Sequence, residues 1–206
     1  MRIIKRKYPQ VLWFKETQEK VIALTIDDAP SEITPKILEI LEENQIKITF
    51  FCIGDHIEKN QHIFDQIKQK GHEIGNHLQR DERSVSLDIT EFEKQLINVD
   101  KQIFTNKIPP KKWIRPGGGH FTKEMIDITN KHGYKMCLGD VYPHDPQIQF
   151  SWINTLYVKL LTKSGSVIVL HDRKWTPKTL YDTIPYLKKK GFRFMTLSEF
   201  DSFQSY

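Results

Sequence analysis

The chain has 206 residues, of which 38% are hydrophobic and 28% are charged, so it can form one domain, or two small ones, with a substantial core. The net charge of +5 is spread along the sequence without a clustered basic stripe, which argues against a nucleic-acid partner. No apolar run is long enough to span a bilayer.

The first 20 residues show no clear periodicity, and we expect an N-terminal approach segment that Trp13 and Phe14 attach to the body of the protein. This segment is basic but lacks the apolar core and cleavage site of a signal peptide, which favours a cytoplasmic location by default. Cys52 and Cys137 both lie in candidate strands. They predict buried free thiols rather than a disulfide.

From residue 21 onward, short apolar runs typical of buried strands alternate with stretches of helical periodicity. The predicted strands are 21–26, 48–53, 73–76, 113–115, 134–138, 166–170 and 192–196. The predicted helices are 34–43, 57–67, 92–103, 122–131, 152–161, 177–189 and 197–203, and Pro109 and Pro110 are expected to stop the third. This alternation predicts a single α/β domain over 21–206 with a parallel sheet. A compact, incomplete barrel is favoured over a doubly wound open sheet.

Two carboxylates, Asp27 and Asp28, follow the first strand. Adjacent residues at a strand end point to different sides, so one carboxylate could bind a metal while the other serves as a base. The alternative is an ordinary turn or helix cap, where Asp is common. Two unpaired like charges at the mouth of a buried strand are costly, however, and this favours a functional role.

Polar side chains also follow several other predicted strands. In a parallel α/β fold the functional site lies at the carboxyl ends of the strands. The residues at these positions are Asn76, His77, Arg115, Asp140 with the loop that follows it, His171 and Asp172. We expect them to gather at one rim of the sheet.

His77 and Asp81 are four residues apart, a spacing that places both on one side of a helical turn. Together with Asp28 they would form a site of two carboxylates and one histidine, which suits Zn²⁺ or another first-row divalent metal. A surface ion pair is the ordinary alternative for His77 and Asp81. We expect His56 and His72, which are near in sequence, to be exposed.

The stretch Trp-Ile-Arg-Pro-Gly-Gly-Gly-His-Phe places Arg115 at a strand end, followed by three glycines. Glycines allow close approach of the backbone to a ligand, and backbone N–H groups can stabilise an oxyanion. A flexible turn is the alternative. His171 ends an apolar strand, where a capping or hydrogen-bonded histidine is equally typical.

These stretches together resemble the polysaccharide deacetylase family, also called the NodB-homology or carbohydrate esterase 4 family. Its five motifs fall in order over almost the whole chain, at 25–28, 77–81, 115–119, 140–145 and 169–171. The resemblance implies a distorted barrel of seven or eight β/α units. It also implies a hydrolase that removes N-acetyl groups from an amino-sugar polysaccharide or oligosaccharide of the chitin or peptidoglycan kind.

The resemblance also implies roles for individual residues. Asp27 corresponds to the catalytic base and Arg115 to the residue that holds it in place. His171 corresponds to the general acid, supported by Asp145, with Asp140 as the second choice.

Asp28, His77 and Asp81 correspond to the metal ligands, for Zn²⁺ first and Co²⁺ or Mn²⁺ as alternatives. Asp81 stands where the family has a second histidine, a change that favours harder ions. Gly118, Leu170 and Tyr142 are expected to bind the substrate, with the Gly118 N–H facing the oxyanion. Gly118 replaces a tyrosine of the family motif, and the tryptophan of the fourth motif is absent. Both changes remove side chains that the family places in its polymer-binding groove.

Two other functions remain open. The same fold hosts hydrolases of other C–N bonds, such as ureide or imide rings, some of them without a metal. A catalytically silent carbohydrate-binding module is the other alternative. The expected partner is an N-acetylated carbohydrate, and the sequence makes no prediction of oligomeric state.

Overall fold

A computed structural model describes residues 2–104 and 111–204, with side chains from residue 5 onward. Its strands are β1 (Val21–Ala29), β2 (Thr49–Cys52), β3 (Glu73–Asn76), β4 (Lys112–Ile114), β5 (Tyr134–Met136), β6 (Val167–His171) and β7 (Arg193–Met195). Its helices are α1 (Arg2–Lys7), α2 (Thr34–Glu43), α3 (Gly54–Lys59), α4 (Gln61–Gln69), α5 (Ile89–Ile103), α6 (Lys123–Lys131), α7 (Ser151–Leu161), α8 (Thr176–Lys189) and α9 (Leu197–Ser202).

The strands form one parallel sheet in the order β5-β4-β3-β2-β1-β6, with β7 also paired to β1. Three isolated bridges connect its two ends: Leu12 pairs with Cys137, Phe14 with Ser166, and Val141 with Ile168. The N-terminal segment and the loop after β5 therefore close the sheet into an incomplete barrel. This confirms the predicted barrel over the open sheet.

Most of the predicted elements are present, with small shifts at their ends. Residues 57–67 were predicted as one helix but belong to two, α3 and α4, because the backbone at Asn60 leaves the helical region with φ −131° and ψ 43°. Residues 2–7, for which no periodicity was found, form the short helix α1. The predicted helix stop at Pro109 and Pro110 lies outside the described residues.

The expected burial of Trp13, Phe14 and the two cysteines is confirmed. Trp13 and Phe14 are buried, and both cysteines are buried and unpaired. Among the described residues, no helix combines the length and the apolar character needed to cross a bilayer.

Strand β1 occupies the centre of the fold. All nine of its residues are buried, and it pairs with β2, β6 and β7. Apolar residues of β1 pack on both faces of the sheet, which is typical of a strand covered on both sides. The carboxyl end of β1 is paired with β2 on one side and with β6 on the other.

Tight packing next to β1 generates a prediction for Gly75, which is paired with Phe51 in β2. A Cβ at Gly75 would lie 2.6 Å from two ring carbons of Phe51. We expect Gly75→Ala to lower the free energy of unfolding by about 1–3 kcal/mol, the usual cost of overpacking. Urea unfolding measures this change.

Phe51→Leu, which removes part of the crowded ring, provides the control. Because the two substitutions act on one contact, the double variant should lose less stability than the sum of the single variants. Strict additivity would show that the loss does not arise from this contact.

Candidate active site

The two carboxylates of β1 lie at a β-bulge, since the register with β2 shifts between Ile26 and Ala29. Asp28 adopts a left-handed φ of 66° there. As a result, His77 Nε2 lies 3.3 Å from Asp28 Oδ1 and 4.0 Å from Asp27 Oδ2. The expectation that the two aspartates point to different sides is therefore wrong, because a bulge interrupts strand alternation.

Asp27 forms a buried ion pair with Arg115. Arg115 Nη1 lies 2.5 Å from Asp27 Oδ1 and 2.8 Å from Thr25 Oγ1, while Nε donates to the Cys137 carbonyl. The guanidinium also lies 4.2 Å from the centroid of the Phe51 ring. These contacts fix Asp27 through one oxygen and leave Oδ2 directed toward the pocket.

His171 lies opposite this free oxygen, with its Nε2 3.9 Å from Asp27 Oδ2. On the other side of the ring, Nδ1 donates to Asp145 Oδ1 at 2.9 Å, and the backbone N–H of His171 donates to Asp145 Oδ2. Asp140 is engaged elsewhere, by the Val167 N–H and the Ser166 hydroxyl. Of the two candidates for supporting His171, only Asp145 contacts it.

The carboxylates around His171 change its acidity. Burial lowers the pKa of His171, but the hydrogen bond to Asp145 and the charges of Asp27, Asp145 and Asp28 outweigh burial. The pKa of His171 is therefore raised above its ordinary value. A raised pKa favours the protonated imidazole that a general acid requires.

His77 has the orientation that a metal-binding histidine needs. Its Nδ1–H donates to the Arg115 carbonyl at 2.6 Å, which leaves Nε2 facing Asp28 Oδ1. Such a hydrogen bond on the far ring nitrogen is the usual support of a metal-ligating histidine. Two donor atoms 3.3 Å apart fit neighbouring positions around one divalent ion.

Asp28 remains ionised in this environment. Burial raises its pKa, but the hydrogen bond and charge of His77, together with His171 and Arg173, lower it more strongly. The pKa of Asp28 is therefore held well below its ordinary range. An ionised carboxylate is the form that binds a metal ion.

Asp81 does not join Asp28 and His77 in the way that its spacing suggested. Residues 79–82 form bends rather than a helical turn, so the rule that places residues four apart on one side of a helix does not apply here. Asp81 is exposed and lies in the pocket wall. Among the described residues, no three His, Cys, Asp or Glu side chains are grouped closely enough to hold a metal ion. Asp28 and His77 fit two coordination positions around a metal ion, and the assignment of Asp81 as the third ligand stays a prediction.

Arg173 is a site residue that the sequence reasoning missed. Its Nη2 lies 2.6 Å from Asp28 Oδ2, and its Nη1 donates to the Asp172 carbonyl. The available signal was its position, two residues after His171 at the end of the same strand. Its contact with Asp28 joins residues far apart along the chain, which no local sequence pattern predicts.

Four other polar residues differ from expectation or lie away from the pocket. His56 is half-buried, with Nδ1 2.8 Å from the Asp28 carbonyl, and His72 is buried, so both predictions of exposure are wrong. Asn76 hydrogen-bonds to a carbonyl of α5, and the Asp172 carboxylate accepts hydrogen bonds at the start of α2. These two residues therefore support the strand ends rather than line the pocket.

The site opens into a pocket of about 520 Å³. Its lining includes Asp27, His77, Arg115, Gly118, Tyr142 and His171. Leu170 was predicted to contribute but is buried in the core, and Val169 lines the pocket instead. The reason is strand alternation, which places residue 169, and not residue 170, on the same face as His171.

Gly118 lies in the pocket wall with a left-handed φ of 71°, a conformation that a tyrosine rarely adopts. A Cβ at this position would lie 3.2 Å from Cγ of Arg83. Arg83 therefore covers the space beside Gly118 and forms part of the wall where the motif tyrosine is missing.

Comparison with known proteins identifies the family. The polysaccharide deacetylase family model matches residues 14–137. The chain belongs to the polysaccharide deacetylase family. It is accordingly a hydrolase of carbon–nitrogen bonds with the family's barrel fold, and members of this family generally depend on a metal.

Individual relatives agree with this assignment. The chain is 31% identical over 200 residues to a peptidoglycan-N-acetylglucosamine deacetylase from Bacillus cereus, covering 92% of both chains. It is 28% identical to the peptidoglycan-N-acetylglucosamine deacetylase PgdA of Listeria monocytogenes, but spans only 41% of that longer protein. A crystal structure of a peptidoglycan N-acetylglucosamine deacetylase in complex with an N-oxidanyl-benzamide superposes with a TM-score of 0.88 at 29% identity, covering 98% of this chain and 97% of the other.

The contact between Asp145 and His171 generates a prediction about acidity. Asp145→Asn removes the charge that raises the pKa of His171, so the midpoint of His171 protonation should move to lower pH. NMR titration of the ring proton of His171 measures this shift. Asp140→Asn is the matched control and should leave the midpoint unchanged, since Asp140 does not contact the ring. A larger shift in the control would assign the supporting role to Asp140.

Proposed function

We propose that this deacetylase removes N-acetyl groups from an amino-sugar polysaccharide or oligosaccharide of the peptidoglycan or chitin kind. The observation that carries the proposal is the pair formed by Asp27 Oδ2 and His171 Nε2. These atoms face each other 3.9 Å apart at the pocket. Arg115 holds the other oxygen of Asp27, and Asp145 holds the other ring nitrogen of His171. The B. cereus relative, which matches over nearly its full length, supports peptidoglycan as the substrate class.

Asp27 acts as the general base. Its Oδ1 is engaged by Arg115, which fixes the carboxylate in orientation, while Oδ2 takes the proton of the attacking water. The buried ion pair also prevents Asp27 from turning away between catalytic cycles.

His171 acts as the general acid. Its raised pKa supplies the proton, and the hydrogen bond to Asp145 directs Nε2 toward the pocket. Amide cleavage expels an amine, which is a poor leaving group until it is protonated. Nε2 delivers this proton to the departing nitrogen of the sugar.

Asp28 and His77 would hold the divalent metal, with Asp81 as a third ligand from the pocket wall. Zn²⁺ suits the imidazole, and Co²⁺ or Mn²⁺ are the alternatives for a site with two carboxylates. When bound, such an ion supplies Lewis-acid polarisation of the acetyl carbonyl.

The pocket wall positions the acetyl group and the sugar. The backbone N–H of Gly118 is our choice for the oxyanion donor, because the left-handed turn brings main chain rather than side chain to the surface. The Tyr142 ring lies 5.6 Å from the His171 ring and offers a flat surface beside the acid. We infer that a sugar ring packs against Tyr142.

The role of the base can be tested with Asp27→Asn. The amide is similar in size and its oxygen can still accept from Arg115, so the fold should persist while acetate release falls by roughly 10²-fold or more. The assay measures acetate released from N-acetylglucosamine oligomers. Asp182→Asn, on the exposed side of α8, is the matched control. Near-normal turnover by Asp27→Asn would remove Asp27 from the mechanism.

The role of the acid can be tested with His171→Ala on two substrates. Amide cleavage should slow by roughly 10²-fold or more, whereas an acetate ester with an activated phenolic leaving group should be affected much less, because that group departs without a proton. The ratio of the two rates is the measured quantity. Equal losses on both substrates would argue against His171 as the acid.

A further inference from the structure

The two oxygens of the Asp28 carboxylate have separate neighbours. Oδ1 faces His77 Nε2 at 3.3 Å, whereas Oδ2 lies 2.6 Å from Arg173 Nη2. The carboxylate itself is almost fully buried, with 3% of the residue exposed. One oxygen is thus presented to the histidine, and the other is held on the opposite side by a guanidinium group.

Arg173 contacts Asp28 without lining the pocket. Of the described residues, the pocket wall includes His77 but neither Asp28 nor Arg173. The guanidinium is itself anchored, because Nη1 donates to the Asp172 carbonyl at 3.0 Å. Arg173 therefore contacts Asp28 without occupying the space between Asp28 Oδ1 and His77 Nε2.

Each of the two adjacent carboxylates of the site is paired with a different arginine. Arg115 pairs with Asp27 and Arg173 pairs with Asp28, each through one oxygen. Hydrogen-bonded partners fix the orientation of a carboxylate that ligates a metal. Arg173 therefore holds the Asp28 carboxylate in one orientation.

We propose that Arg173 is a positioning residue for the metal ligand Asp28, holding Oδ2 so that Oδ1 and His77 Nε2 converge on one divalent ion. The proposal rests on the proposed function only in assigning the metal to Asp28 and His77. A hydrogen-bonded partner behind a ligating carboxylate is worth 10–100-fold in metal affinity. The opposing effect, repulsion between the guanidinium and the ion, is weakened by solvent because the Arg173 side chain is 29% exposed.

The test is a zinc titration of the full chain after removal of metal by a chelator, in competition with a chromophoric zinc indicator. Arg173→Gln should bind Zn²⁺ roughly 10-fold or more weakly than the wild type. Arg173→Lys keeps the charge but has only a point-like donor group, so it should fall between the two. Lys174→Gln, an adjacent exposed residue with the same change of charge, should bind as the wild type does.

Thermal unfolding of the stripped proteins shows which variants are folded before zinc is added. If Arg173→Gln is unfolded without metal, the zinc affinities of Arg173→Lys and the wild type are compared instead. We then expect the folded Arg173→Lys variant to bind Zn²⁺ more weakly than the wild type. Equal or tighter binding by the folded Arg173 variants would overturn the proposal. An equal loss in Lys174→Gln would also overturn it, because the effect would then be one of overall charge.

The outcomes separate this inference from the proposed function. Tight zinc binding by the wild type that Arg173→Gln leaves unchanged overturns the positioning role and leaves the metal site standing. No zinc binding by the wild type overturns both the positioning role and the metal part of the proposed function.

Discussion

Two carboxylates on consecutive residues, buried at the end of the central strand, are the constraint on which the site depends. Asp27 and Asp28 would repel each other strongly in such surroundings unless each had a cationic partner. Arg115 and Arg173 provide these partners from two different strand ends, β4 and β6. The fold thus holds two adjacent buried carboxylates, an energetically unfavourable arrangement, at the carboxyl ends of its parallel strands.

The same constraint suits each carboxylate to a different chemical role. Asp27 is held from one side by Arg115 and directs its free oxygen toward His171, which suits a base opposite an acid. Asp28 directs its free oxygen toward a histidine whose ring is fixed by a backbone carbonyl, which suits a metal ligand. The bulge in β1 allows both orientations within two residues.

Support for the site extends into the hydrophobic core. Arg115 rests on the ring of Phe51, and Phe51 packs against Gly75 on the next strand. The Cβ that Gly75 lacks would have to displace this ring. The position of Arg115, which pairs with Asp27, therefore depends on packing between β2 and β3.

Much of this architecture could be predicted from the sequence because its signals are local. Apolar runs and helical periodicity located nearly all the strands and helices, and the rule that parallel strands present their carboxyl ends at one rim brought Asp27, His77, Arg115 and His171 together. The choice of Asp145 as the contact of His171 came from the family resemblance, and the structure places it there.

The features that sequence reasoning missed depend on backbone detail or on contacts distant along the chain. The bulge at Asp28 leaves no periodic signal, and the bend after His77 invalidates a spacing rule that holds only on a helix. Val169 rather than Leu170 lines the pocket because the strand continues in register through His171. The contact of Arg173 with Asp28 joins residues 145 positions apart.

The central claim is that this site cleaves the amide bond of an N-acetylated amino sugar. The most direct measurement is to incubate the wild-type protein, with Zn²⁺ added, with N-acetylglucosamine oligomers and with peptidoglycan glycan strands, and to quantify acetate and free amines in the same samples. The account predicts equal amounts of both products and glycan chains of unchanged length. Glycan that binds to the protein without releasing either product, or glycan that is neither bound nor changed, would contradict it.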